Sequence, residues 1–516
     1  MTHDLDPTTQ NTKTSKDLLR QCVNILAELD ELQALLKETL RNPQLVEVRQ
    51  FRSNVNAELK MLQKLERQIQ ASVTMTAKDS DPDIQDSEVS LRLVHALRSS
   101  NLPFYQAVWD IVKGSCVGLL ALGKRFYWES ETNPKEVNES SLPGKQPSKD
   151  KRKSVYVDVV ADDGEEWVKV STISESRLLF EMAKKGWEGD DSDEMSEEEV
   201  ILQNFHGENG EDDDEGELEL IQLARDLRKA ANSTRVRYRH PRVRIVLPKI
   251  EEGNFPEINE MIKEMRSFDI QVDCQNTLAV NSSTLDLTRL LPRPYKKFTS
   301  TLNVDCTLLL AIVSDLSHIK DIPVSPSFHK AIVRQIEVER EKPLLPSELW
   351  PAMGGNELVC TEEAAMRMRE IVETIGSDKE MDRMNILMAY APYDHLDRQA
   401  LIKVFQELSD YDIPTEWKLP IRVIDAQAAI STDKVQGKLP PLADRVIEGL
   451  SDINYSVFIY GWVTGMTTIS SNRTIDRQIE ATIEKYRDGN EDLEGPPVWI
   501  CDTARSLAGK DRNRKA

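Results

Sequence analysis

Ser300-Thr-Leu-Asn-Val-Asp-Cys-Thr-Leu-Leu-Leu-Ala-Ile-Val-Ser-Asp315 is the stretch that decides how the second half of this chain is read. Leu302-Asn303-Val304 is a short β-type run that ends on Asp305, and helix-compatible apolar residues follow at once. An acid at the carboxyl end of a strand, opening a strand-to-helix turn, lies where open α/β sheets place their ligands. From about Pro294 onward the same alternation recurs. Strands are expected at Leu302–Val304, Leu358–Cys360, Ile421–Ile424, Val457–Tyr460 and Val498–Ile500, with helical stretches between most of them. That pattern predicts a mostly parallel sheet covered on both faces, an α/β domain over residues 294–508 with a basic tail at 509–516.

The rest of the chain reads differently. After a polar, disordered tail (1–14), Leu18, Cys22, Ile25, Leu29, Leu32 and Leu36 recur at heptad spacing. Asn42-Pro43 interrupts this helix, because Pro lacks the N–H and clashes with the preceding turn. A second amphipathic run carries Val48, Phe51, Val55, Leu59, Leu62, Leu65 and Ile69. Together they predict an αα-hairpin opening a helical region at 15–130, packed on its own domain, with an intermolecular coiled coil as the rival reading. Further helices are expected near Ser90–Ser99 and Pro103–Leu122. Residues 77–88 read as a linker and 131–153, rich in Pro, Ser, Lys and Glu, as a disordered insertion.

From Ser154 the period becomes two: Ser154–Val160 and Glu165–Val170 flank Asp162-Asp163-Gly164 and predict a β-hairpin. Helices near Glu175–Lys185, Leu218–Ala231 and Glu257–Met265, with strands at Val236–Leu247 and Ile270–Cys274, make an α+β region over 154–287. An acidic loop at 188–217 interrupts it. The fold class is therefore mixed: helical and α+β first, α/β last.

Composition sets bounds. The net charge of −22 over 516 residues is largely local, since Glu188–Glu219 holds 16 Asp and Glu and no Lys or Arg, leaving −6 elsewhere. The six cysteines are scattered without a C-x-x-C pair, so reduced thiols are expected rather than a zinc site or a disulfide framework. The longest apolar run, Ile111–Leu122, is too short to span a bilayer. These features predict a soluble intracellular protein of the cytoplasm and/or nucleus.

Familiar catalytic signatures are missing or spoiled. Gly118-Leu-Leu-Ala-Leu-Gly-Lys-Arg125 fits a phosphate-binding loop only up to Arg125, where Ser or Thr is needed for magnesium, and reads better as a buried helix. Asp158…Glu166-Trp-Val-Lys169 approximates a restriction-type nuclease layout, but strand alternation turns Glu166 away from Lys169. No H-E-x-x-H, G-x-G-x-x-G or G-x-S-x-G occurs. Arg235, Arg237 and Arg239 would share one face of the strand stretch Arg235–Val246 and are candidate nucleic-acid contacts, with masking by the acidic loop or a solvated strand face as the rival.

Four blocks carry a family resemblance: N-A-E-L-K-M-L-Q-K-L-E at 56–66, V-D-V-V-A-D-D-G-E-E-W-V-K-V at 157–170, L-N-V-D-C-T-L-L-L-A-I-V-S-D at 302–315 and V-W-I-C-D-T-A-R-S-L at 498–507. In that order they resemble a eukaryotic family catalogued as domain of unknown function 1308, with its own uncharacterised N-terminal domain. The resemblance implies a C-terminal domain similar to PIN nucleases, in which Asp305 matches the first metal-binding acid and Mg²⁺ or Mn²⁺ is the implied ion. The second acid of that pattern falls near Arg367, with Glu362 and Glu363 a turn earlier. The late G-T-G-D-like turn corresponds to Tyr460-Gly-Trp-Val-Thr-Gly465, and no carboxylate occurs between Asn454 and Ile475. Asp305 and Glu362 are thus the candidate catalytic residues, and Asp305 the candidate metal ligand. Two-metal hydrolysis needs several convergent carboxylates. The expectation is a degenerate PIN-like domain acting as a binding or scaffold module. An active ribonuclease with a rearranged carboxylate set, drawing on Asp382, Asp425 or Asp444, is the alternative. An adapter that binds a protein through the N-terminal helices is the second alternative; RNA is a partner by fold analogy alone.

Overall fold

The computed structural model describes residues 7–76, 95–129, 152–186, 217–278, 286–324, 329–435, 437, 439–501 and 507. The linker, insertion, acidic-loop and basic-tail readings fall outside these residues, apart from a residue or two at their edges. The chain divides into two compact units. One comprises Met1–Glu38, Asn42–Val236 and His240–Arg293; the other comprises Thr39–Arg41, Arg237–Arg239 and Pro294–Ala516. No helix among the described residues is long and apolar enough to cross a membrane. All six cysteines are buried free thiols.

In the first unit, α1 (Pro7–Thr39) starts inside the stretch read as a polar tail, and α2 (Arg49–Thr76) follows a single tight turn at Pro43–Leu45. Asn42 caps that turn by accepting the Gln44 N–H at 3.3 Å. The apolar seam is buried from Cys22 to Leu36 in α1 and from Val48 to Ile69 in α2, with Leu18 and Leu59 partly exposed.

The five-stranded sheet of this unit runs β1 (Ala121–Glu129), β2 (Arg152–Ala161), β3 (Glu166–Val170), β4 (Arg242–Leu247) and β5 (Ile270–Cys274) in spatial order. The first three strands are antiparallel and the last three parallel. The expected hairpin is β2–β3, turned by Asp162, Asp163 and Gly164 at positive φ, which Asp and Gly tolerate best. Helices Glu175–Lys184, Glu219–Asn232 and Pro256–Ser267 bury Leu178, Leu227 and Ile262 against the sheet.

Two readings of this region are corrected. The helix expected to reach Leu122 stops at Ser115, and Gly118–Arg125 is a turn entering β1. Gly118 and Gly123 have φ of +56° and +83°, which a helix cannot accommodate, and the residues after Ala121 pair with β2. Likewise the strand expected from Val236 begins only at Arg242, because Arg237 adopts φ +60° and breaks the extended run.

The second unit carries β6 (Thr301–Val304), β7 (Glu357–Thr361), β8 (Arg422–Ile424), β9 (Thr467–Ser470) and β10 (Val498–Ile500). Their order is β10-β9-β6-β7-β8 and every pair is parallel. The C-terminal region is therefore α/β, following a helical and mixed-sheet N-terminal region. Buried Leu302, Val304, Leu358, Val359 and Ile469 give the central strands the apolar runs of a sheet covered on both faces. The strand expected at Val457–Tyr460 is instead helical: residues Tyr455–Ile459 form a π-turn that continues as a helix to Thr464, and the strand follows at Thr467. Gly461 allows this helix to lie against β9, where an added Cβ would fall 2.1 Å from Thr468 Oγ1.

Around Arg383 the same unit contains a buried ionic network. The Arg383 side chain has no solvent exposure. It donates to Asp315 Oδ1 at 2.7 Å, the Val313 carbonyl at 3.0 Å, and the Leu408 carbonyl at 3.0 and 2.7 Å. Ser377 Oγ donates to Asp315 Oδ2 at 2.6 Å, and Glu380 accepts the Asp315 and Ser377 N–H groups at 2.9 Å each. Every charged group there has a partner, which is the condition for keeping charge in a core.

Candidate functional site

Chain direction sets the site. From β6 the chain passes to β7 and β8 on one side, then returns to β9 and β10 on the other. The carboxyl ends of β6 and β9 therefore flank the topological switch point, where doubly wound sheets hold ligands. Asp305 closes β6 there, as the sequence predicts.

Its surroundings are hydroxyls. Ser470 Oγ, at the end of β9, and Thr307 Oγ1, in the first turn of helix Cys306–Val313, each donate to Asp305 Oδ2 at 2.6 Å. The backbone closes around them. Ser471 N donates to Thr307 Oγ1 at 3.1 Å and Asn472 N to Ser470 Oγ at 2.9 Å. Asn472 then caps helix Arg473–Lys485 through the Ile475 N–H at 3.4 Å. Only 2% of Asp305 is exposed. Burial raises its carboxyl above the ordinary range, and the Ser470 and Thr307 hydrogen bonds pull the other way without cancelling it.

Beneath this cluster, Asn303 on β6 is fully buried and reaches the π-turn. Its Nδ2 donates to the Val457 carbonyl at 2.8 Å and to Thr468 Oγ1 at 3.0 Å. A π-turn disturbs the ordinary helical ladder, and a side-chain donor of this kind supplies a freed carbonyl. Thr361, at the end of β7, shares a hydrogen bond with Ser456 at 3.0 Å. The ends of β6, β7 and β9 are thus joined by neutral polar side chains with one carboxyl among them.

The other candidate acids do not converge on Asp305. Glu362 is exposed in the first turn of helix Glu362–Ile375, and Glu363 accepts from Gln427 at 3.3 Å. Arg367 pairs along its own helix with Glu370 at 3.0 Å. Asp425 caps the helix that follows β8 by accepting the Ala428 N–H at 3.1 Å, while Asp382 and Asp444 are exposed on helices of their own. Among the described residues no group of three or more His, Cys, Asp or Glu could hold a metal ion. A divalent cation needs open oxygen lone pairs and near-octahedral access. Asp305 offers a covered carboxyl whose Oδ2 already accepts two hydrogen bonds, so these residues do not fit the Mg²⁺ or Mn²⁺ that the resemblance implies.

The restriction-type layout also dissolves into structure. Asp158 and Lys169 form a buried pair at 3.2 Å, and Asp158 Oδ2 accepts the Val170 N–H at 2.8 Å. Glu166 lies instead by Arg244 at 3.5 Å, whose Nε meets Asp273 at 2.7 Å.

Arg235, Arg237 and Arg239 do not line a strand face. Arg235 is half-buried ahead of the turn at Arg237 and Tyr238. Arg237 Nη1 pairs with Asp476 Oδ1 at 2.9 Å, Oδ2 at 3.0 Å, and Glu480 Oε1 at 3.2 Å; Arg239 pairs with Glu494. Between them Tyr238 is buried and donates to the Pro496 carbonyl at 3.3 Å. The carboxylates facing Arg237 and Arg239 come from residues 476–494.

Sequence reasoning missed Ser470, Thr307, Asn472 and Asn303. A signal for Ser470 existed: Gly465, then the β-branched run Thr467-Thr-Ile, then Ser-Ser-Asn472 before an amphipathic helix reads as strand end plus N-cap. Residues 302–408 match the model of a family described as a protein of unknown function, DUF1308. No curated protein and no solved structure matches the chain.

Proposed function

We propose that residues 294–508 form a PIN-like domain that acts by binding and has lost metal-dependent hydrolysis. The PIN-like reading is supported by the all-parallel order β10-β9-β6-β7-β8 with an acid closing the first strand. One observation carries the loss of hydrolysis: Asp305 is sealed at the switch point by Ser470 and Thr307 rather than by further carboxylates. A metal-activated water needs an ion held by several ligands, and a buried acid with a raised pKa is a poor first ligand. In this reading the switch point keeps its place in the fold as a hydrogen-bonded lock between β6 and β9. The surfaces around it serve as a scaffold inside the cell, in the cytoplasm or nucleus.

The test is hydrolysis of single-stranded RNA with and without Mn²⁺, comparing wild type with Asp305→Asn. No cation-dependent cleavage is expected from either protein. Mn²⁺-dependent cleavage by the wild type that Asp305→Asn abolishes would overturn the proposal.

A further inference from the structure

The first unit presents a surface of a different kind on the ribbon formed by β1 and β2. Ala121–Glu129 and Arg152–Ala161 pair over their whole length, with Arg125 opposite Tyr156, Tyr127 opposite Ser154 and Glu129 opposite Arg152. Directly opposed residues of an antiparallel pair share a face, so Arg125, Tyr127, Ser154 and Tyr156 form one cross-strand set. Tyr127 is 57% exposed, among the most exposed large apolar side chains of the described residues, and Tyr156 is 36% exposed. A tyrosine ring left in water at mid-ribbon has a cost that burial elsewhere would remove.

The Tyr156 ring is held in place. Tyr156 lies over Gly123, where an added Cβ would fall 2.0 Å from its hydroxyl oxygen. Lys169 Nζ sits 5.5 Å from the Tyr156 ring centre, itself anchored by Asp158 at 3.2 Å. Tyr127 stands diagonally across from Tyr156, a separation of about 7 Å in such a ladder. That equals roughly two base steps of about 3.4 Å along a nucleic-acid strand.

The charge beside the rings is basic. On the face of the rings β1 and β2 carry Arg125 and Arg152 against Glu129 and the buried Asp158, while Lys124 and Lys153 alternate to the opposite face. Arg125 donates to the neutral Ser154 Oγ at 3.3 Å and has no carboxylate partner among the described residues. Fixed aromatic faces interleaved with guanidinium groups are the chemistry that holds single-stranded nucleic acid without reading its sequence. We infer that the Arg125–Tyr127–Arg152–Tyr156 face of the β1–β2 ribbon binds single-stranded polynucleotide, with bases stacked on the tyrosines and phosphates on the arginines. The inference uses no residue of the Asp305 cluster and stands or falls separately from it.

Fluorescence anisotropy of the full-length chain with labelled oligouridylate and oligothymidylate tests it. Binding is expected at low salt, and two or three phosphate contacts would weaken it about tenfold between 50 and 200 mM salt. Losing one stacking ring costs about fivefold or more in affinity, so Tyr127→Ala and Arg125→Ala should each weaken binding, while Tyr486→Ala should not. Both ribbon positions are exposed, so neither variant depends on repacking a core. Oligothymidylate binding as well as oligouridylate supports a sugar-tolerant platform. No binding by the wild type overturns the inference, as does binding that both ribbon variants retain or that a duplex competes for equally.

Discussion

Replacing Asp305 by asparagine should stabilise this protein near neutral pH, the opposite of what a carboxylate paired with a cationic side chain would give. Both hydroxyl donors reach one oxygen, Oδ2, at 2.6 Å. The asparagine carbonyl can occupy that position and accept both, so these two bonds survive while the charge goes, at the expense of the smaller Cys306 and Thr307 N–H contacts that the carboxylate also accepts. A buried charge costs several kcal/mol, and the two charge-assisted bonds return about 1.5–3 kcal/mol each. The raised pKa says that the penalty wins. Asp305→Asn should therefore gain about 1–2 kcal/mol, or roughly 2–8 °C in Tm for a domain of this size. The sign of the pH dependence follows. A carboxyl whose folded pKa lies above its unfolded value binds more protons when folded, so its stabilising contribution is present in acid and lost as pH rises through the folded pKa. The advantage of Asp305→Asn should accordingly be present at pH 7.5 and shrink toward pH 4. Asp305→Ala provides the contrast, because it strands the Ser470 and Thr307 hydroxyls at about 1–3 kcal/mol each and should destabilise at both pH values. Urea titrations of the three proteins at the two pH values measure this directly. A loss of more than about 1 kcal/mol for Asp305→Asn at pH 7.5 would refute the reasoning.

Two further outcomes follow from the second unit's core. His318 is buried, with Nε2 2.5 Å from the Ile312 carbonyl and Nδ1 2.9 Å from Ser409 Oγ; burial, then the Arg383 charge, pushes its pKa from 6.5 down to about 3. The unfolded chain then binds the proton first, so His318 should account for about 2–3 kcal/mol of stability lost between pH 6.5 and 4.5. His318→Gln should flatten that part of the stability–pH curve; parallel curves for variant and wild type would count against it. Arg383→Met should cost about 3–5 kcal/mol, because it leaves the Asp315 carboxylate and the Leu408 carbonyl without their donor inside the core. Calorimetry should show Tm lower by roughly 6–20 °C, and a drop under about 2 °C would show that the network relaxes around the loss.

Local patterns were strong enough to mark much of the architecture. The heptad seam of α1 and α2, the Asp-Asp-Gly turn between β2 and β3, and the strand-acid-helix junction at Asp305 all depend on residues within a few positions of each other. Errors arose where tertiary contacts override such patterns. Val457-Phe-Ile-Tyr460 is apolar enough for a buried strand, and periodicity cannot separate that from a buried helix. What decides it is Asn303, more than 150 residues away, whose amide satisfies the Val457 carbonyl and so supports the π-turn. Arg235, Arg237 and Arg239 alternate like a strand face, yet Asp476 and Glu480 hold Arg237 in a left-handed turn.

Sequence alone thus determined that Asp305 stands at the end of a buried strand, since an acid following an apolar β-run and preceding an apolar helix has few other places to sit. It also determined that the late turn carries no acid. Only the tertiary structure decided what fills the acid's surroundings. Parallel strands far apart in the chain bring Ser470 beside Asp305, and that juxtaposition depends on strand order and register, which local sequence does not encode.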